Sequence, residues 1–232
     1  MTSDSQDTRY IAVSAVQYTS GYLADLRALR ELCDDHGLYL LVDGTQAVGT
    51  LPVDVSSFAP DVMTFSSYKW LCAGYGVAAM YVAPELLDNK PLPAVGWRSA
   101  EHAYGLANHD ATLTKEAYAL ELGNPVMPGP LVLGASVALI AQVGIDAIAK
   151  RIGDLTARLH SGLDARGIPI RTPRDPARRA GITMLAVADA TKAETNLKRR
   201  RIHVSARAGL IRVSPHLYND ENDIDALLDA LD

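Results

Sequence analysis

The stretch that decides the fold is DVMTFSSYK, residues 61–69. Its first five residues form an apolar, strand-like run that stops at two serines, and the run LYLLV, residues 38–42, stops in the same way at Asp43. Such runs are typical of buried parallel strands, and open α/β sheets place their ligand sites at the carboxyl ends of these strands. We therefore predict two parallel strands that deliver polar groups to a ligand site, with Lys69 just beyond the second strand.

The surroundings of Lys69 indicate a particular chemistry. Tyr68 and Trp70 flank the lysine, and Gly74 and Gly76 follow closely. A lysine that is held among aromatic rings, away from water, has its ammonium form disfavoured. Its amine then becomes nucleophilic enough to form a Schiff base with a carbonyl compound.

Composition restricts the class of protein. The chain has 232 residues, enough for one large domain or two smaller ones, and its 48% hydrophobic and 21% charged residues are ordinary for a soluble globular protein. A net charge of −5 argues against nucleic-acid binding, because phosphate binding requires a basic field. The one basic run, KRRR at residues 198–201, follows a helix-like segment and is predicted to be a solvated helix end.

The cysteines and the first residues indicate the cellular compartment. Cys33 and Cys72 are far apart and lack the spacing of a disulfide framework or a zinc site, which favours a reducing cytoplasm. Residues 1–7 are polar and acidic, unlike a signal peptide, and no later stretch is apolar for long enough to cross a bilayer. We expect a soluble cytoplasmic protein with neither membrane nor nucleic acid as a partner.

Apolar periodicity predicts an alternation of strands and helices along the chain. Before and after the lysine we expect a strand at 10–16, a helix carrying Leu23 to Cys33 that ends at His36-Gly37, a strand at 77–82, a short helix from Pro84 and a long loop at 91–110. Further on we expect helices at 131–143 and 145–163, strands near 168–171 and 182–187, a helix at 190–200, strands at 202–205 and 210–213, and a final helix capped by Asn219 or Asp220.

Together these motifs resemble the class V aminotransferases, which are enzymes dependent on pyridoxal 5′-phosphate (PLP) and include cysteine desulfurases, kynureninases and isopenicillin-N-epimerase-like proteins. Members carry Asp-x-x-Gln after one strand and Ser-x-(His/Tyr)-Lys after the next, as this sequence does. The resemblance implies a PLP pocket in which Asp43 pairs with the pyridinium nitrogen, Gln46 binds the ring 3′-oxygen, Ser66 and Tyr68 hold the phosphate, and Lys69 forms the Schiff base.

Physical chemistry supports these roles, although each residue also has an ordinary interpretation. The carboxylate keeps the ring protonated as an electron sink, and hydroxyls at a strand end can satisfy a phosphate. Taken singly, Asp43 could be a cap or turn residue, Lys69 a surface group and Gln46 a loop residue, while Ser66 and Tyr68 could be turn and core residues. The ordered combination favours the PLP pocket.

The segment RVSPHLYN, residues 212–219, carries a second resemblance. Class V members have a similar Arg-(Ile/Val)-Ser-Pro-x-x-Tyr-Asn near the C-terminus, whose arginine binds the α-carboxylate of the amino-acid substrate. The resemblance implies this role for Arg212, since a guanidinium grips a carboxylate through paired, charge-assisted hydrogen bonds. The alternative for Arg212 is a surface salt bridge.

Three further residues carry weaker expectations. Asn124 stands where the family usually has a threonine that reaches the phosphate of the neighbouring subunit's cofactor; its amide can donate to phosphate, and a Gly-Asn-Pro turn is the alternative. Trp97 lies on the long loop, where contact with cofactor or substrate and packing in the core both stay open. We expect side-chain specificity to depend on Trp97 and the region of Tyr104.

Departures from the family modify these expectations. No cysteine lies on the short stretch 203–209, where desulfurases have their catalytic cysteine, and Tyr68 replaces the histidine of desulfurases. Both favour transamination, epimerisation or Cβ elimination, as in kynureninase-like or isopenicillin-N-epimerase-like members, over persulfide chemistry. Cys72 adjoins the lysine motif and does not lie on that stretch.

The family's N-terminal portion, with its phosphate loop and the ring that stacks on PLP, has no counterpart in this sequence. We therefore expect an α/β fold of fold type I without that portion: a partial large PLP-binding domain at residues 1–130, with part of a mixed or parallel sheet, then connecting helices and a small C-terminal α/β domain at 131–232.

Two functions follow from this organisation. In the first, the chain is one half of a split PLP enzyme, an obligate heteromer in which a second polypeptide supplies the remaining half and covers exposed sheet edge and apolar surface. In the second, it is a non-catalytic subunit or remnant that is used for protein interaction. A nucleotide-binding domain is disfavoured because the sequence has neither a Gly-x-Gly-x-x-Gly nor a Walker loop.

Overall fold

The computed structural model describes residues 8–89, 91–102, 112–124 and 126–231. The chain divides into two compact units. The first comprises, so far as it is described, Met1–Val13, Leu26–Thr45 and Asp54–Ala138, and the second comprises Ser14–Asp25, Gln46–Val53 and Leu139–Asp232. The short segments 14–25 and 46–53 thus cluster with the C-terminal half.

A four-stranded mixed sheet forms the centre of the first unit. Its strands are β1 (Tyr10–Ser14), β2 (Tyr39–Asp43), β3 (Val62–Ser66) and β4 (Ala78–Val82), in the order β1-β2-β3-β4. β2 and β3 run parallel, whereas β4 runs antiparallel to β3. The two apolar runs therefore form adjacent parallel strands, as predicted.

The first helix begins later than its apolar spacing suggested. α1 spans Leu26–His36 and ends before Gly37, whose φ is +64°, but Leu23 forms an isolated bridge with Val16 instead of joining the helix. Arg30 of α1 donates to Asp61 Oδ2 at 2.9 Å, and the same oxygen accepts the N–H of Leu40 at 2.7 Å. This carboxylate holds α1 against the starts of β2 and β3. The next helix, α2, spans Pro84–Asn89.

The side chains on the two faces of the first sheet differ in how far they are buried. Side chains alternate between the faces of a strand, so Leu40, Val42 and Met63 lie on one face, and all three are at most 2% exposed. On the other face Thr64 pairs with Met80, and both are exposed. One face is thus packed and the other partly open.

The third helix, α3, spans Pro128–Val143. None of its sixteen residues is buried, although the helix is apolar on every side. It is attached to the first unit through the hydroxyl of Ser136, which donates to the carbonyl of Leu71, and through a close approach of Gly129 to Val77.

The second unit is a three-stranded antiparallel sheet covered by helices. Its elements are α4 (Ile145–Ala165), β5 (Thr183–Ala186), α5 (Ala190–Arg199), β6 (Ser205–Arg207), β7 (Leu210–Val213) and α6 (Glu221–Ala230), with the strand order β5-β7-β6. The second half of the stripe predicted on α4, from Leu155 to Leu163, forms one buried cluster with the stripe of α6 and with Leu185 and Ile211 of the sheet.

Two predicted strands of this unit are wrong in extent. Residues 168–171 pair with β5 only through an isolated bridge at Ile170, because Pro169 has no N–H to donate to a ladder. β6 begins at Ser205 and not at residue 202, because the tight turn at Ala208-Gly209, with φ of +50° and +77°, sets Arg207 opposite Leu210.

The ends of α5 and α6 agree with the sequence analysis. The last turn of α5 carries the basic residues Lys198 and Arg199, both exposed, as expected of a solvated helix end. Asp220 caps α6: its Oδ1 accepts the N–H of Asp223 at 3.1 Å, while Asp223 Oδ2 accepts the N–H of Asp220 at 3.1 Å.

Candidate active site

The carboxyl ends of β2 and β3 lie side by side in the first unit. The register pairs Asp43 with Thr64, and the N–H of Gly44 donates to the carbonyl of Thr64 at 2.7 Å. Beyond this pair, Thr45 Oγ1 accepts the N–H of Ser66 at 3.2 Å. The segment that follows Asp43 is therefore joined directly to the segment that leads to Lys69.

Asp43 is both a turn residue and an exposed carboxylate. Its Oδ1 accepts the N–H of Thr45 at 2.9 Å, which closes a short turn at the end of β2. The side chain nevertheless remains exposed at the edge of the sheet. The turn fixes the carboxylate at the strand end and leaves it accessible to a ligand.

The loop that carries Lys69, residues 67–77, is held together by Ser67. This serine is fully buried, and its hydroxyl lies 2.9 Å from the carbonyl oxygen of Gly74 and 2.8 Å from that of Val77. Gly74 and Gly76 have φ of +75° and +89°, which glycine adopts without strain. A closed, hydrogen-bonded turn therefore presents Lys69, and the predicted glycine turn has a definite conformational reason.

Aromatic rings stand next to Lys69 as the sequence indicated. The Nζ atom lies 5.7 Å from the ring centroid of Tyr68, within the range of a cation–π interaction. Tyr68 in turn stacks on Tyr75 with centroids 4.7 Å apart. Tyr68 is 40% exposed, which does not fit the core interpretation, whereas Trp70 is 6% exposed and belongs to the core.

Cys72 is close to the lysine but is poorly suited to be a nucleophile. Its N–H donates to the carbonyl of Lys69 at 2.9 Å, and its φ is +53°. Although Cys72 is exposed, partial desolvation of its thiol raises the pKa above its ordinary value. Since the thiolate is the reactive form, this favours the inert thiol near neutral pH.

The groups at this edge fit a phosphorylated aldehyde with a basic ring nitrogen. Asp43 offers a carboxylate, Ser66 and Tyr68 offer hydroxyls, and Lys69 offers an amine, all on the segments that leave two adjacent strand ends. This donor set matches the three parts of PLP: the ring nitrogen, the phosphate and the aldehyde.

The two other principal residues belong to the second unit. Gln46 is 7% exposed, and its carbonyl oxygen lies 3.4 Å from the hydroxyl of Thr50. Arg212 lies on β7, and its Nε is buried without a hydrogen-bond partner among the described residues. Burial, followed by the charge of Arg207, lowers the pKa of Arg212, while the nearby Tyr18 acts in the opposite direction. No ion pair of Arg212 is found in the described chain, so its salt-bridge interpretation has no support.

Trp97 and Asn124, the weaker candidates for cofactor or substrate contact, lie on two segments that pack together at Gly96 and Leu122. Trp97 is 38% exposed in a 3-10 turn, Trp97–Ser99, so it does not fill the core. The backbone at Gly96 approaches the carbonyl of Leu122 so closely that a Cβ would not fit. Asn124 is exposed. Tyr104 and the other residues of the last part of the predicted loop, 103–110, lie outside the described residues.

Sequence analysis gave no role to three residues that organise this site. Ser67 closes the lysine loop, Thr45 bridges the two strand ends, and Tyr75 stacks on Tyr68. The signal for Ser67 was available, because side chains alternate along β3 and the residue after Ser66 must point to the opposite, packed face. The contacts of Thr45 and Tyr75 depend on how loops meet and had no local signal.

In the part of the chain that the structure describes, no group of histidine, cysteine and acidic residues could hold a metal ion. By length and composition no single helix there could cross a membrane, and α3 and α4 reach the necessary length and apolarity only as a bent pair.

Comparison with known proteins gives a consistent result. The model of the family "Aminotransferase class-V" matches residues 3–227. An uncharacterized aminotransferase of Bacillus subtilis is 27% identical over 98% of this chain and 60% of its own length. A cysteine desulfurase of Escherichia coli is 32% identical over 76% of this chain and 42% of its own length.

A solved structure extends the likeness to the fold. The C-DES protein, crystallised as a lysine-to-alanine variant with glycine covalently linked to its PLP cofactor, is 25% identical, with a TM-score of 0.87 over 97% of this chain and 60% of C-DES. This confirms the predicted α/β fold of PLP-dependent, fold type I enzymes. The chain spans about 60% of the length of such relatives. With its family model matched from residue 3 to residue 227, the chain belongs to the class V aminotransferases.

Proposed function

We propose that this chain is the lysine-bearing part of a PLP-dependent enzyme that acts on an amino acid. PLP is the cofactor of the class V family, as predicted. The observation that carries the proposal is the adjacency of the ends of β2 and β3, which joins the segment of Asp43 to the segment of Ser66 and Lys69 through the hydroxyl of Thr45.

The residues of the chain divide the chemical work among them. PLP, when bound, supplies an aldehyde and a ring that accepts the negative charge developing at the substrate Cα. Lys69 would hold the aldehyde through Nζ, and its amine, when not bound to the cofactor, would take the proton from Cα. Asp43 holds the proton at the ring nitrogen, while Ser66 and Tyr68 donate hydrogen bonds to phosphate oxygens. Arg212 binds the α-carboxylate.

Among the reactions of the family, we favour transamination, epimerisation or Cβ elimination over sulfur transfer. β6 and β7 are joined by the two residues Ala208-Gly209, a turn too short to carry a mobile cysteine to a substrate. Cys72 lies in the lysine loop, and partial desolvation raises the pKa of its thiol. Both observations support a reaction without a cysteine persulfide.

Trapping at the lysine tests the catalytic proposal. PLP is added to the native material, the absorbance spectrum is recorded, and borohydride reduction is followed by peptide mapping. We expect a visible band and a reduced cofactor adduct on Lys69. Both should be lost in Lys69→Ala and kept in Lys150→Ala, which removes an exposed, ion-paired lysine of α4. An adduct on other lysines, or no band with any partner present, would overturn the proposal.

We also propose that a second polypeptide covers α3 and the open face of the first sheet. The helix is apolar all round, yet Leu131 is 70% exposed and Val137 is 48% exposed. Contiguous apolar surface of this kind is typical of an interaction site. About 40% of the length of the Bacillus subtilis relative lies outside its match with this chain, and a polypeptide equivalent to that part is the occupant we propose. The same exposed surface favours the second candidate function, a non-catalytic subunit that serves protein interaction.

Reconstitution tests the partner proposal. The polypeptide that co-purifies with the native chain is identified by mass, produced separately and mixed with it. We expect a stoichiometric complex by light scattering, lost in Leu131→Glu on α3 and retained in Leu32→Glu on α1, where Leu32 is 43% exposed. No co-purifying polypeptide, or a complex indifferent to Leu131→Glu, would contradict it.

A further inference from the structure

We propose that Arg207 is a second anion-binding residue beside Arg212 and directs the site toward amino acids that carry a second carboxylate. The inference rests on the proposed function, in which Arg212 binds the α-carboxylate. It adds a substrate class, the dicarboxylic amino acids, and a residue to which no motif assigned a role.

The register of the small sheet puts the two arginines together. Ser205 of β6 lies opposite Arg212 of β7, and Arg207 lies opposite Leu210. Alternate residues of a strand share a face, so Arg207 and Arg212 project from the same face as diagonal cross-strand neighbours. The Cα atoms of such neighbours are about 7–8 Å apart, within reach of long side chains.

The opposite face of the sheet explains why this arrangement is fixed. Ile211 and Val213 point into the helical core and are 0% and 6% exposed, so a slip of one residue would bury the arginine positions instead. The Ala208-Gly209 turn sets the pairing between Arg207 and Leu210, as described above. The core and the turn therefore both hold the two guanidinium groups on one side.

The charge of this pair is not neutralised within the described part of the chain. Neither arginine forms an ion pair with a carboxylate there, and Arg207 donates only to the carbonyl of the adjacent Ala206, at 3.1 Å. The buried Nε of Arg212 has no hydrogen-bond partner among the described residues. Burial and the charge of Arg207 both lower the pKa of Arg212, which is the direction expected for like charges that face each other.

Two guanidinium groups on neighbouring strands suit two separated carboxylates better than one. Each group can grip one carboxylate through a pair of hydrogen bonds. A short dicarboxylic amino acid presents two carboxylates on one flexible chain, so it could satisfy both groups at once. Tyr18, exposed and close enough to affect Arg212 electrostatically, adds a hydroxyl that can donate a hydrogen bond to a carboxylate.

Isosteric ligands separate the role of the second carboxylate from every other contact. The full chain, in its native complex and loaded with PLP, is titrated with L-glutamate and L-glutamine and with L-aspartate and L-asparagine, and binding is followed by calorimetry and by the cofactor spectrum. We expect the acids to bind more tightly than their amides. Arg207→Gln should weaken acid binding by roughly tenfold to a hundredfold and leave amide binding unchanged. Arg199→Gln, which removes an exposed arginine of α5, should change neither.

A second titration, without PLP, keeps this inference separate from the proposed function. Glutarate and succinate, which lack the amino group, should bind the wild-type chain and lose affinity in Arg207→Gln even if no cofactor band forms on Lys69. Suppose that the cofactor band forms on Lys69 but Arg207→Gln weakens the binding of acids and amides equally. This result would overturn the inference about Arg207 and leave the proposed function standing. Inorganic phosphate that binds as tightly as glutarate would show a site for a single anion and would also overturn the inference.

Discussion

Two consecutive helices, α3 and α4, differ sharply in what surrounds them. α4 buries seven residues, and three of them, Leu155, Leu159 and Leu163, belong to the cluster that it shares with the small sheet. α3 is more apolar overall but buries none of its sixteen residues. An amphipathic helix needs one partner face, whereas a helix that is apolar all round needs cover on every side. The C-terminal unit therefore completes its own core, whereas the described residues leave α3 without a buried face.

The difference also separates the two kinds of functional residue. Arg212 lies on a sheet whose other face is fully packed, so its position is fixed by the chain itself. Lys69 lies on a loop of the first unit, where one sheet face and α3 are exposed. We therefore expect carboxylate binding by the small sheet to survive in the isolated chain, and cofactor binding to depend more strongly on a partner.

The largest expected effect tests the contrast between the helices directly. Leu159→Ala should lower the free energy of unfolding by about 2–5 kcal/mol, because it leaves a cavity in the core where Leu159 is 0% exposed. Leu131→Ala on α3 should change it by less than about 0.5 kcal/mol in the isolated chain. Urea denaturation measures both. Equal costs for the two substitutions would mean that α3 is already covered and would break the comparison.

The pH dependence of stability sharpens the comparison of α3 with α4, because the buried face of α4 contains His160. This residue is 5% exposed, its Nε2 lies 3.0 Å from Thr183 Oγ1, and burial, with the charges of Arg179 and Arg174, lowers its pKa to about 4. The unfolded chain takes up this proton near pH 6.5, but the folded chain does not until about pH 4. The stabilising contribution is therefore complete above pH 6.5 and is lost as the pH falls toward 4.

We expect this loss to be on the order of 3 kcal/mol, measured as the difference in unfolding free energy between pH 7 and pH 4. His160→Gln should remove most of this part of the pH dependence, whereas His203→Gln, at an exposed position, should preserve it. An unchanged pH profile in His160→Gln would show that His160 does not stay neutral in the folded chain.

Replacing two glycines of α4 by alanine should change the stability of the protein in opposite directions and by smaller amounts. A methyl group at Gly162 would overlap the side chain of the buried Leu228 of α6, whereas a methyl group at Gly153 would meet no atom within 4 Å among the described residues. Gly162→Ala should destabilise the protein by about 1–3 kcal/mol, and Gly153→Ala should stabilise it by about 0.5–1 kcal/mol. Thermal unfolding measures both. Stabilisation by both substitutions would show that α4 and α6 pack loosely.

The smallest effect concerns the cap of α6, the helix that covers α4. Asp220→Ala removes the acceptor for the N–H of Asp223 and should cost about 1 kcal/mol. Asp220→Asn keeps an acceptor and should cost much less. Urea denaturation of the two variants distinguishes them, and equal losses would assign the effect of Asp220 to its charge and not to the cap.

The fold was largely predictable where local patterns are strong. The runs at 38–42 and 61–65 gave β2 and β3 to within one residue, and the 3.6-residue stripe gave α4 from its first residue. Prediction failed where pairing or turns decide: Leu23 joined a bridge instead of α1, and β6 moved to Ser205. The periodicity of a sequence reports which face is buried, but not which strand or turn it meets.

The sequence by itself determined the chemical groups and their order: the carboxylate of Asp43, the amine of Lys69 and the guanidinium of Arg212. These follow from motif and apolar pattern, which are local properties of the chain. Only the tertiary structure decided that Thr45 joins the two strand ends, that Ser67 closes the lysine loop and that Arg207 stands beside Arg212. Those arrangements depend on hydrogen bonds and strand register between distant segments, which no local pattern encodes.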